Sequence, residues 1–226
     1  MDRKPQLFIF DLDGVITDTA EFHYLAWRKI GEELGIVVDR ALNERLKGVS
    51  RMESLNRVLA AASQAKEMTE HEKEQWASKK NAIYQQLIDT IKPSDVLPGI
   101  SELIRELKER QFKLALGSAS RNATFVLDKL GLQDAFDYVV DASKIRFGKP
   151  HPETFTNAAD YFSIPYHACI GVEDSEAGIE AINSAGMFSV GVGCLDALHQ
   201  ANYIVSDTSQ LKLDRIVEAY RLAAWN

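Results

Sequence analysis

Residues 7–14, Leu-Phe-Ile-Phe-Asp-Leu-Asp-Gly, form an apolar run that ends in two carboxylates one residue apart. The run predicts a buried strand, and because side chains alternate along a strand, Asp11 and Asp13 leave its end toward roughly the same side. Gly14 can adopt turn angles that other residues resist. Two acids this close do not both stay ionised without help, so the pattern indicates a bound cation, a shared proton, or both. A polar strand end leading into a turn is the plainer alternative.

The composition limits the classes of protein to consider. A chain of 226 residues can bury a substantial core, as one α/β domain or as a main domain with a smaller insert. The formal net charge of -7 argues against a nucleic-acid surface, so an anionic ligand must meet a local cluster of cations. The N-terminal apolar run is too short for a signal peptide, and no apolar stretch is long enough to span a bilayer. We expect a cytoplasmic monomer that binds neither nucleic acid nor membrane.

The cysteines indicate neither a disulfide framework nor a metal site. Cys169 and Cys194 lie among apolar residues and lack the spacing of metal ligands. We therefore expect both to be buried thiols.

The pattern along the chain predicts two structural units. Residues 17–92 are almost purely helical in pattern, whereas strands and helices alternate from Pro93 onward. Such alternation predicts a mostly parallel sheet covered on both faces. The fold class is therefore α/β, a doubly wound sheet core (residues 1–16 and 93–226) with an inserted helical cap domain (17–92). The core elements expected after the cap are helices over 101–110, 122–130, 153–162 and 177–185, a terminal helix, and strands over 113–117, 138–140, 169–172, 188–192 and 203–205.

Helix starts within the cap are marked by local sequence. One helix is expected over residues 18–34. The tetrads Ser50-Arg51-Met52-Glu53 and Thr69-Glu70-His71-Glu72 are capping-box sequences, and each predicts the start of a further helix.

Candidate anion-binding residues follow the predicted core strands, where open parallel sheets bind their ligands. Ser118 and Ser120 come after the strand over 113–117, and their hydroxyls and neighbouring N–H groups suit an anion. Ordinary helix capping would also explain these serines. Lys149 stands in a loop before the next helix, where a solvated lysine is the plainer interpretation.

Candidate metal ligands end two different strands. Glu173 and Asp174 follow the strand over 169–172, and in isolation they could cap a helix. Opposite Asp11 and Asp13, they offer the oxygen ligands that a hard cation such as Mg2+ takes.

Polar residues in the cap could contact a substrate. Thr19, His23 and Trp27 recur every four residues and so share one face of a helix, although such a stripe is often packing. Arg51 follows Ser50 at a predicted helix start, where its guanidinium and the free N–H groups can hold one anion together. Two lysines could support this second anion site or could be solvated: Lys47 and Lys80.

The order of these motifs resembles that of the haloacid dehalogenase superfamily. The resemblance rests on Asp11-Leu12-Asp13-Gly14, Ser118, Gly148-Lys149-Pro150 and Glu173-Asp174 on successive strand–helix units. It implies that Asp11 is a nucleophile that accepts a phosphoryl group and Asp13 the general acid/base. A halide leaves without a proton, so the presence of Asp13 favours phosphoryl transfer over dehalogenation. The implied Mg2+ ligands are Asp11, the backbone of Asp13, Glu173 and Asp174.

Longer stretches resemble the branch of that superfamily that acts on sugar phosphates as mutases. They are residues 11–21, 46–51, 118–122 and 173–179. The resemblance implies conversion of β-glucose 1-phosphate to glucose 6-phosphate, with β-glucose 1,6-bisphosphate as the phosphoryl-donor intermediate. Arg51 is implied to hold the phosphate distal from Asp11, and His23 to couple Asp13 to cap closure. The substrate-binding residues expected are Thr19, His23, Trp27, Lys47, Gly48, Arg51, Lys80, Ser118, Ala119, Ser120, Asn122 and Lys149.

Two alternatives stay open at this point. A sugar-phosphate phosphatase would keep the core motifs but would need no second phosphate contact at Arg51. A signalling receiver domain also phosphorylates an aspartate beside Mg2+ and a lysine, but the Asp-x-Asp spacing and the long helical insert count against it. The segment Arg146-Phe147-Gly148 has no evident role in the sequence and could alter the loop that presents Lys149.

Overall fold

A computed structural model describes residues 4–62 and 67–223. Within these ranges, a six-stranded, fully parallel sheet runs in the order β3-β2-β1-β4-β5-β6. The α/β class predicted from the sequence is therefore confirmed. The strands are β1 (Leu7–Phe10), β2 (Lys113–Leu116), β3 (Tyr138–Val139), β4 (Cys169–Glu173), β5 (Phe188–Val192) and β6 (Tyr203–Val205).

The helices begin and end within a few residues of the predicted positions. A further helix, α2, and short 3-10 segments also form. The sequence does not predict them, because they are too short to show a helical period. None of the described helices is both long and apolar enough to cross a membrane. The helices are α1 (Ala20–Leu34), α2 (Arg40–Glu44), α3 (Arg51–Ala60), α4 (Glu70–Ile88), α5 (Ile100–Glu109), α6 (Ala123–Lys129), α7 (Glu153–Phe162), α8 (Glu176–Ser184) and α9 (Leu213–Ala223).

Strand β1 lies at the centre of the sheet and is buried on both faces. Phe8 and Phe10 pack into one apolar cluster, whereas Leu7 and Ile9 pack into another on the opposite face. This alternation is what a strand covered by helices on both sides requires. The central position of β1, between β2 and β4, brings the loops that follow these three strands to one edge of the sheet.

The helices α1–α4 contribute to an apolar cluster separate from those on the sheet. It includes Trp27 and Ile30 of α1, Leu55 and Val58 of α3, and Ala77 of α4. A helical unit with its own core supports the proposed cap over residues 17–92. Its boundaries stay a proposal, because the far end of α4 packs on the sheet cluster instead.

The two predicted capping boxes differ in the structure. At α4, the Thr69 side chain accepts from the Glu72 N–H and the Glu72 carboxylate accepts from the Thr69 N–H, as expected. At α3, Ser50 Oγ accepts from the Glu53 N–H at 3.3 Å, but the Glu53 carboxylate accepts from Arg57 Nε at 2.9 Å instead of closing the box. A guanidinium one turn away therefore competes successfully for this carboxylate.

One of the two cysteine predictions is wrong. Cys169 is buried at the start of β4, but Cys194 is exposed. Cys194 follows β5 in a loop beyond the sheet, so its apolar neighbours in sequence do not cover it.

Candidate active site

The loop after β1 fixes both acids of the Asp-x-Asp pair. The Asp13 N–H donates to Asp11 Oδ2 at 3.0 Å. Gly14 has φ +76°, which glycine adopts without strain, and its N–H donates to the Thr17 carbonyl at 2.8 Å. The hydroxyl of Thr19, at the start of α1, donates to Asp13 Oδ1. The turn thus orients Asp11 toward the sheet edge and ties Asp13 to the cap.

A lysine from a distant loop lies between two carboxylates at the same edge. Lys149 Nζ is 2.5 Å from Asp11 Oδ1 and 2.7 Å from Glu173 Oε2. Burial alone would lower the pKa of Lys149, but the charges of Asp11 and Glu173 outweigh it and raise the pKa. Lys149 is therefore a charged, buried cation rather than the solvated lysine considered above.

More carboxylates than cations meet at this edge of the sheet. Asp11, Glu173 and Asp174 each place an oxygen within 4.8 Å of the others. Burial, followed by the charge of Glu173, raises the pKa of Asp11 to about 8. Burial likewise raises the pKa of Asp174 well above its usual range, with Glu173 and Asp11 adding to it. These carboxylates are costly to ionise together unless a further cation joins them.

The same cluster fits a divalent cation. A Cβ on Gly14 would overlap the Asp174 carboxylate, and a Cβ on Gly178 would overlap that of Glu173, so both glycines allow the acids to converge. Glu173 Oε1 is held by the Ser175 hydroxyl at 2.7 Å. An all-oxygen donor set on a rigid frame is what Mg2+ takes.

The serine loop after β2 forms its own network. Ser118 is buried, and its Oγ accepts from the Ser120 N–H at 3.1 Å, while Ser120 Oγ accepts from the Asn122 N–H at 3.2 Å. The N-cap position of α6 is Asn122 and not a serine. Ordinary helix capping therefore does not account for Ser118 and Ser120.

Asn122 also joins this loop to the cap. Its Nδ2 donates to Asn81 Oδ1 at 2.9 Å, and its Oδ1 accepts from Gln85 Nε2 at 3.1 Å. Both partners belong to α4. The loop that follows β2 is therefore tied to a cap helix at one face of the site.

His23 is half-buried and contacts two buried cap side chains near Asp13. Its ring packs at a tilt against Tyr84 with centroids 4.1 Å apart, and its Nδ1 is 2.7 Å from Lys80 Nζ. Burial, followed by the charges of Lys80 and Arg51, lowers the pKa of His23 well below its usual value. The imidazole is therefore neutral, and because Nδ1 accepts from the ammonium, we assign the proton to Nε2. Nε2 lies 3.8 Å from Asp13 Oδ2, beyond hydrogen-bond range.

Trp27 both packs in the cap and lines the cavity, the two possibilities considered for residues on this face of α1. It is 2% exposed and belongs to the cap's apolar cluster, and it also forms part of the cavity wall. Lys80 Nζ lies 5.2 Å from the centroid of its ring.

The remaining cap candidates lie where the cap meets the core. Arg51 is the first residue of α3 and lines the cavity. Burial, followed by the charge of Arg121, lowers the pKa of Arg51. Lys47 Nζ pairs with Glu44 at 2.9 Å. A Cβ on Gly48 would overlap the Ser175 hydroxyl, so the cap loop touches the core here.

A cavity of about 510 Å3 joins these features. Most of the predicted site residues line it: Asp11, Asp13, His23, Trp27, Lys47, Gly48, Arg51, Lys80, Ser118, Ala119, Ser120, Asn122 and Asp174. Three others lie just behind its wall, buried against residues that line it: Thr19, Lys149 and Glu173.

Sequence reasoning missed several residues of the cavity wall. Tyr84 and Asn81 lie within a turn of Lys80 on α4, so the helical period could have found them. Arg121 follows Ser120 directly, within the stretch 118–122, and its neighbours in sequence therefore pointed to it. No local pattern distinguished Arg146, which lies on the wall in the loop before Lys149.

Comparisons with known proteins agree with this geometry. Residues 5–186 match the family model described as haloacid dehalogenase-like hydrolase. A β-phosphoglucomutase of Bacillus subtilis is 46% identical over 94% of each chain. The crystal structure of a β-phosphoglucomutase from Clostridium difficile superposes with a TM-score of 0.96 at 49% identity, covering 98% of this chain and all of that one. A carbohydrate phosphatase of Thermotoga maritima is 30% identical over 79% of this chain and 81% of its own. The chain therefore belongs to the haloacid dehalogenase-like hydrolase family and, within it, to the β-phosphoglucomutase group.

Proposed function

We propose that this protein is a magnesium-dependent mutase that interconverts β-glucose 1-phosphate and glucose 6-phosphate through an aspartyl phosphate and β-glucose 1,6-bisphosphate. The observation that carries the proposal is a cavity lined both by acids of the core and by a cation of the cap. The acids Asp11 and Asp13 follow β1, and the cation Arg51 is the first residue of α3. A mutase needs both the acids and the cation, because its intermediate bears two phosphates.

Asp11 is the proposed nucleophile. Phosphorylated on Asp11, the enzyme passes its phosphoryl group to the 6-hydroxyl of β-glucose 1-phosphate, while Asp13 takes the proton of that hydroxyl. The bisphosphate then presents its 1-phosphate to Asp11, the bond between phosphorus and the anomeric oxygen breaks, and Asp13 returns the proton to that oxygen. Glucose 6-phosphate leaves, and the aspartyl phosphate is restored.

Residues around Asp11 manage the charge of this transfer. Asp11, Glu173, Asp174 and the Asp13 backbone carbonyl are the proposed ligands of Mg2+, which when bound neutralises charge on the transferring phosphoryl group. Lys149, already 2.5 Å from Asp11, is placed to hold an oxygen of the same group together with Ser118.

Asp13 needs a defined orientation to work as acid and base. The Thr19 hydroxyl donates to one of its oxygens, and His23 lies 3.8 Å from the other. Both residues belong to the first turns of the cap, so the position of the cap sets the alignment of Asp13. We propose that a substrate holding the cap in place also aligns this acid, which favours the sugar hydroxyl over water.

The second phosphate site is proposed to center on Arg51. The guanidinium stands at the N-terminus of α3, where backbone N–H groups add to its attraction for an anion. Further contacts with the sugar phosphate are proposed for the wall residues Trp27, Lys47, Gly48, Lys80, Ala119, Ser120 and Asn122.

A sugar-phosphate phosphatase is the second candidate, because the Thermotoga maritima relative is described as one. Its lower identity and coverage make it the weaker reading. The receiver-domain alternative is excluded, because the chain belongs to the haloacid dehalogenase-like hydrolase family. A monomeric state and a cytoplasmic location stay predictions from the sequence.

Phosphorus NMR of the purified protein tests the proposal. The sample contains Mg2+, β-glucose 1-phosphate and a trace of β-glucose 1,6-bisphosphate, and a parallel sample contains the Asp11→Asn protein. We expect glucose 6-phosphate to appear with little inorganic phosphate, and no conversion by the variant. Inorganic phosphate and glucose as the main products would replace the mutase with the phosphatase.

A further inference from the structure

The loop before Lys149 carries a cation that no step above uses. Arg146 lines the cavity, although no local sequence pattern indicates this position. Its backbone N–H donates to Glu153 Oε1 at 2.9 Å, and the next N–H, of Phe147, donates to Glu153 Oε2 at 2.8 Å. Glu153 is the first residue of α7, so the loop is fixed to the start of a core helix.

The Arg146 side chain rests on an aromatic ring. Its guanidinium carbon lies 5.0 Å from the centroid of Phe147, whose ring also packs against His151 at 5.0 Å. Phe147 is 49% exposed and contributes to none of the apolar clusters of the described residues. A platform for the guanidinium explains why an aromatic residue stands in the solvent here.

The loop also touches the cap beside Arg51. An added Cβ on Gly148 would lie 3.7 Å from Ser50 Cβ, in ordinary contact, and Ser50 is the N-cap of the helix that begins with Arg51. Arg146 and Arg51 therefore lie on opposite sides of the boundary between core and cap: Arg146 belongs to the core and Arg51 to the cap. Arg121, from the loop after β2, is close enough for its charge to lower the pKa of Arg51.

The arginines Arg51, Arg121 and Arg146 differ from two lysines of the same site. Lys149 is neutralised by Asp11 and Glu173, and Lys47 pairs with Glu44. Within the parts of the chain that the structure describes, the guanidinium groups of Arg51, Arg121 and Arg146 have no carboxylate within 4 Å. None of the three is therefore in an ion pair with a described residue, although the two N–H groups bound to Glu153, and then also the charge of Arg146, lower the pKa of that carboxyl. Their guanidinium groups can contact a bound anion.

Resting on the proposed function, we propose that Arg146 is a specificity-determining residue that adds a third guanidinium to the site for the phosphate distal from Asp11. Its ligand class is a sugar that carries such a distal phosphate, as both β-glucose 1-phosphate on the phosphorylated enzyme and the bisphosphate do. A phosphoryl donor without a second phosphate gains nothing from it. Arg146 acts by attraction and contact, and takes no proton.

The test compares Arg146→Ala with the unmodified enzyme on two substrates. For β-glucose 1-phosphate, kcat/KM should fall about three- to tenfold, mainly through KM, and the loss should shrink in 0.5 M salt because the contact is partly exposed. Hydrolysis of acetyl phosphate should change less than about twofold. Arg146→Lys should recover part of the loss, and Phe147→Leu should show a smaller loss in the same direction.

Lys144→Ala is the matched control. It removes a cation from the same loop, but Lys144 is 81% exposed, pairs with Asp141 and does not line the cavity, so both reactions should be unchanged. If Arg146→Ala slows acetyl phosphate hydrolysis equally, the substitution has displaced Lys149 and the proposal is overturned. Unchanged kinetics with β-glucose 1-phosphate would also overturn it.

Failure of the proposed function would give a different result. If the unmodified enzyme hydrolyses sugar phosphates instead of isomerising them, the same comparison is made on phosphate release. The effect of Arg146→Ala on phosphate release then tests the role of Arg146. The products formed by the unmodified enzyme decide separately whether it is a mutase.

Discussion

Lys80→Met should stabilise the fold near neutral pH, and the gain should shrink as the pH rises. Lys80 is 2% exposed. Burial, followed by repulsion from Arg51, lowers its pKa to about 7, although Asp13 opposes the change. The ammonium contacts two neutral groups, with 2.7 Å to His23 Nδ1 and 4.5 Å to the centroid of Tyr84, so its charge is poorly compensated.

The size and direction of the effect follow from proton linkage. The unfolded chain holds the Lys80 proton up to its ordinary pKa of 10.5, whereas the folded protein releases it near pH 7. The free energy of unfolding of the unmodified protein therefore rises as the pH increases from about 7 to 10.5. Below about pH 7, the folded protein bears the full cost of the buried charge. Each pKa unit is worth about 1.4 kcal/mol, so this cost is on the order of 5 kcal/mol near pH 6.5. Methionine removes it but loses the bond to His23, which leaves a gain of about 2 to 4 kcal/mol.

Urea unfolding at pH 6.5, 8 and 9.5 measures the difference between the two proteins. Both proteins keep His23, so its titration in the unfolded chain near pH 6.5 contributes equally to both and cancels in the difference. Lys79→Met is the matched control on the same helix: its side chain is 50% exposed and pairs with Glu33, so the free energy of unfolding should change by less than about 1 kcal/mol. A Lys80→Met difference of the same size at pH 6.5 and 9.5 would refute the reasoning.

Further predictions address the proposed chemistry. Asp11→Asn should abolish both turnover and labelling by a phosphoryl donor, because an amide forms no acyl phosphate; labelling of the variant would exclude Asp11 as nucleophile. Asp174→Ala should raise the Mg2+ concentration needed for half-maximal activity at least about tenfold, and full activity in excess chelator would remove the metal from the mechanism. Arg51→Ala should cost about 1.5 to 3 kcal/mol in kcat/KM, roughly ten- to a hundredfold, for β-glucose 1-phosphate but little for acetyl phosphate hydrolysis; an equal loss in both would contradict the distal-phosphate role.

Local patterns were sufficient for most of the fold. The alternation of Phe8 and Phe10 against Leu7 and Ile9 follows from strand geometry, so the sequence alone indicated a strand buried on both faces. The helix starts at α3 and α4 were likewise predicted from Ser50 and Thr69. Such features depend on neighbours a few residues apart, which the sequence displays directly.

The sequence also placed the acids of the site, because Asp11 and Asp13 share one strand end. The sequence could not show that Lys149 is buried and charged, since the hydrogen bond from its ammonium to Asp11 joins residues 138 positions apart. Nor could it give the exposure of Cys194, which lies in the loop between β5 and β6.

The sequence by itself determined the α/β class, and it indicated the proposed helical insert and the residues proposed to carry the chemistry, because periodicity and motif spacing are properties of the chain. Only the tertiary structure decided which of those residues meet and in what charge state. The order of the sheet, with β1 between β2 and β4, brings their loops together. The charges of Asp11 and Glu173 then keep Lys149 protonated, whereas burial lowers the pKa of Lys80 to about 7. The folded chain also brings Arg146 to the cavity wall without any local signal in the sequence, since desolvation and spatial proximity exist only in the folded chain.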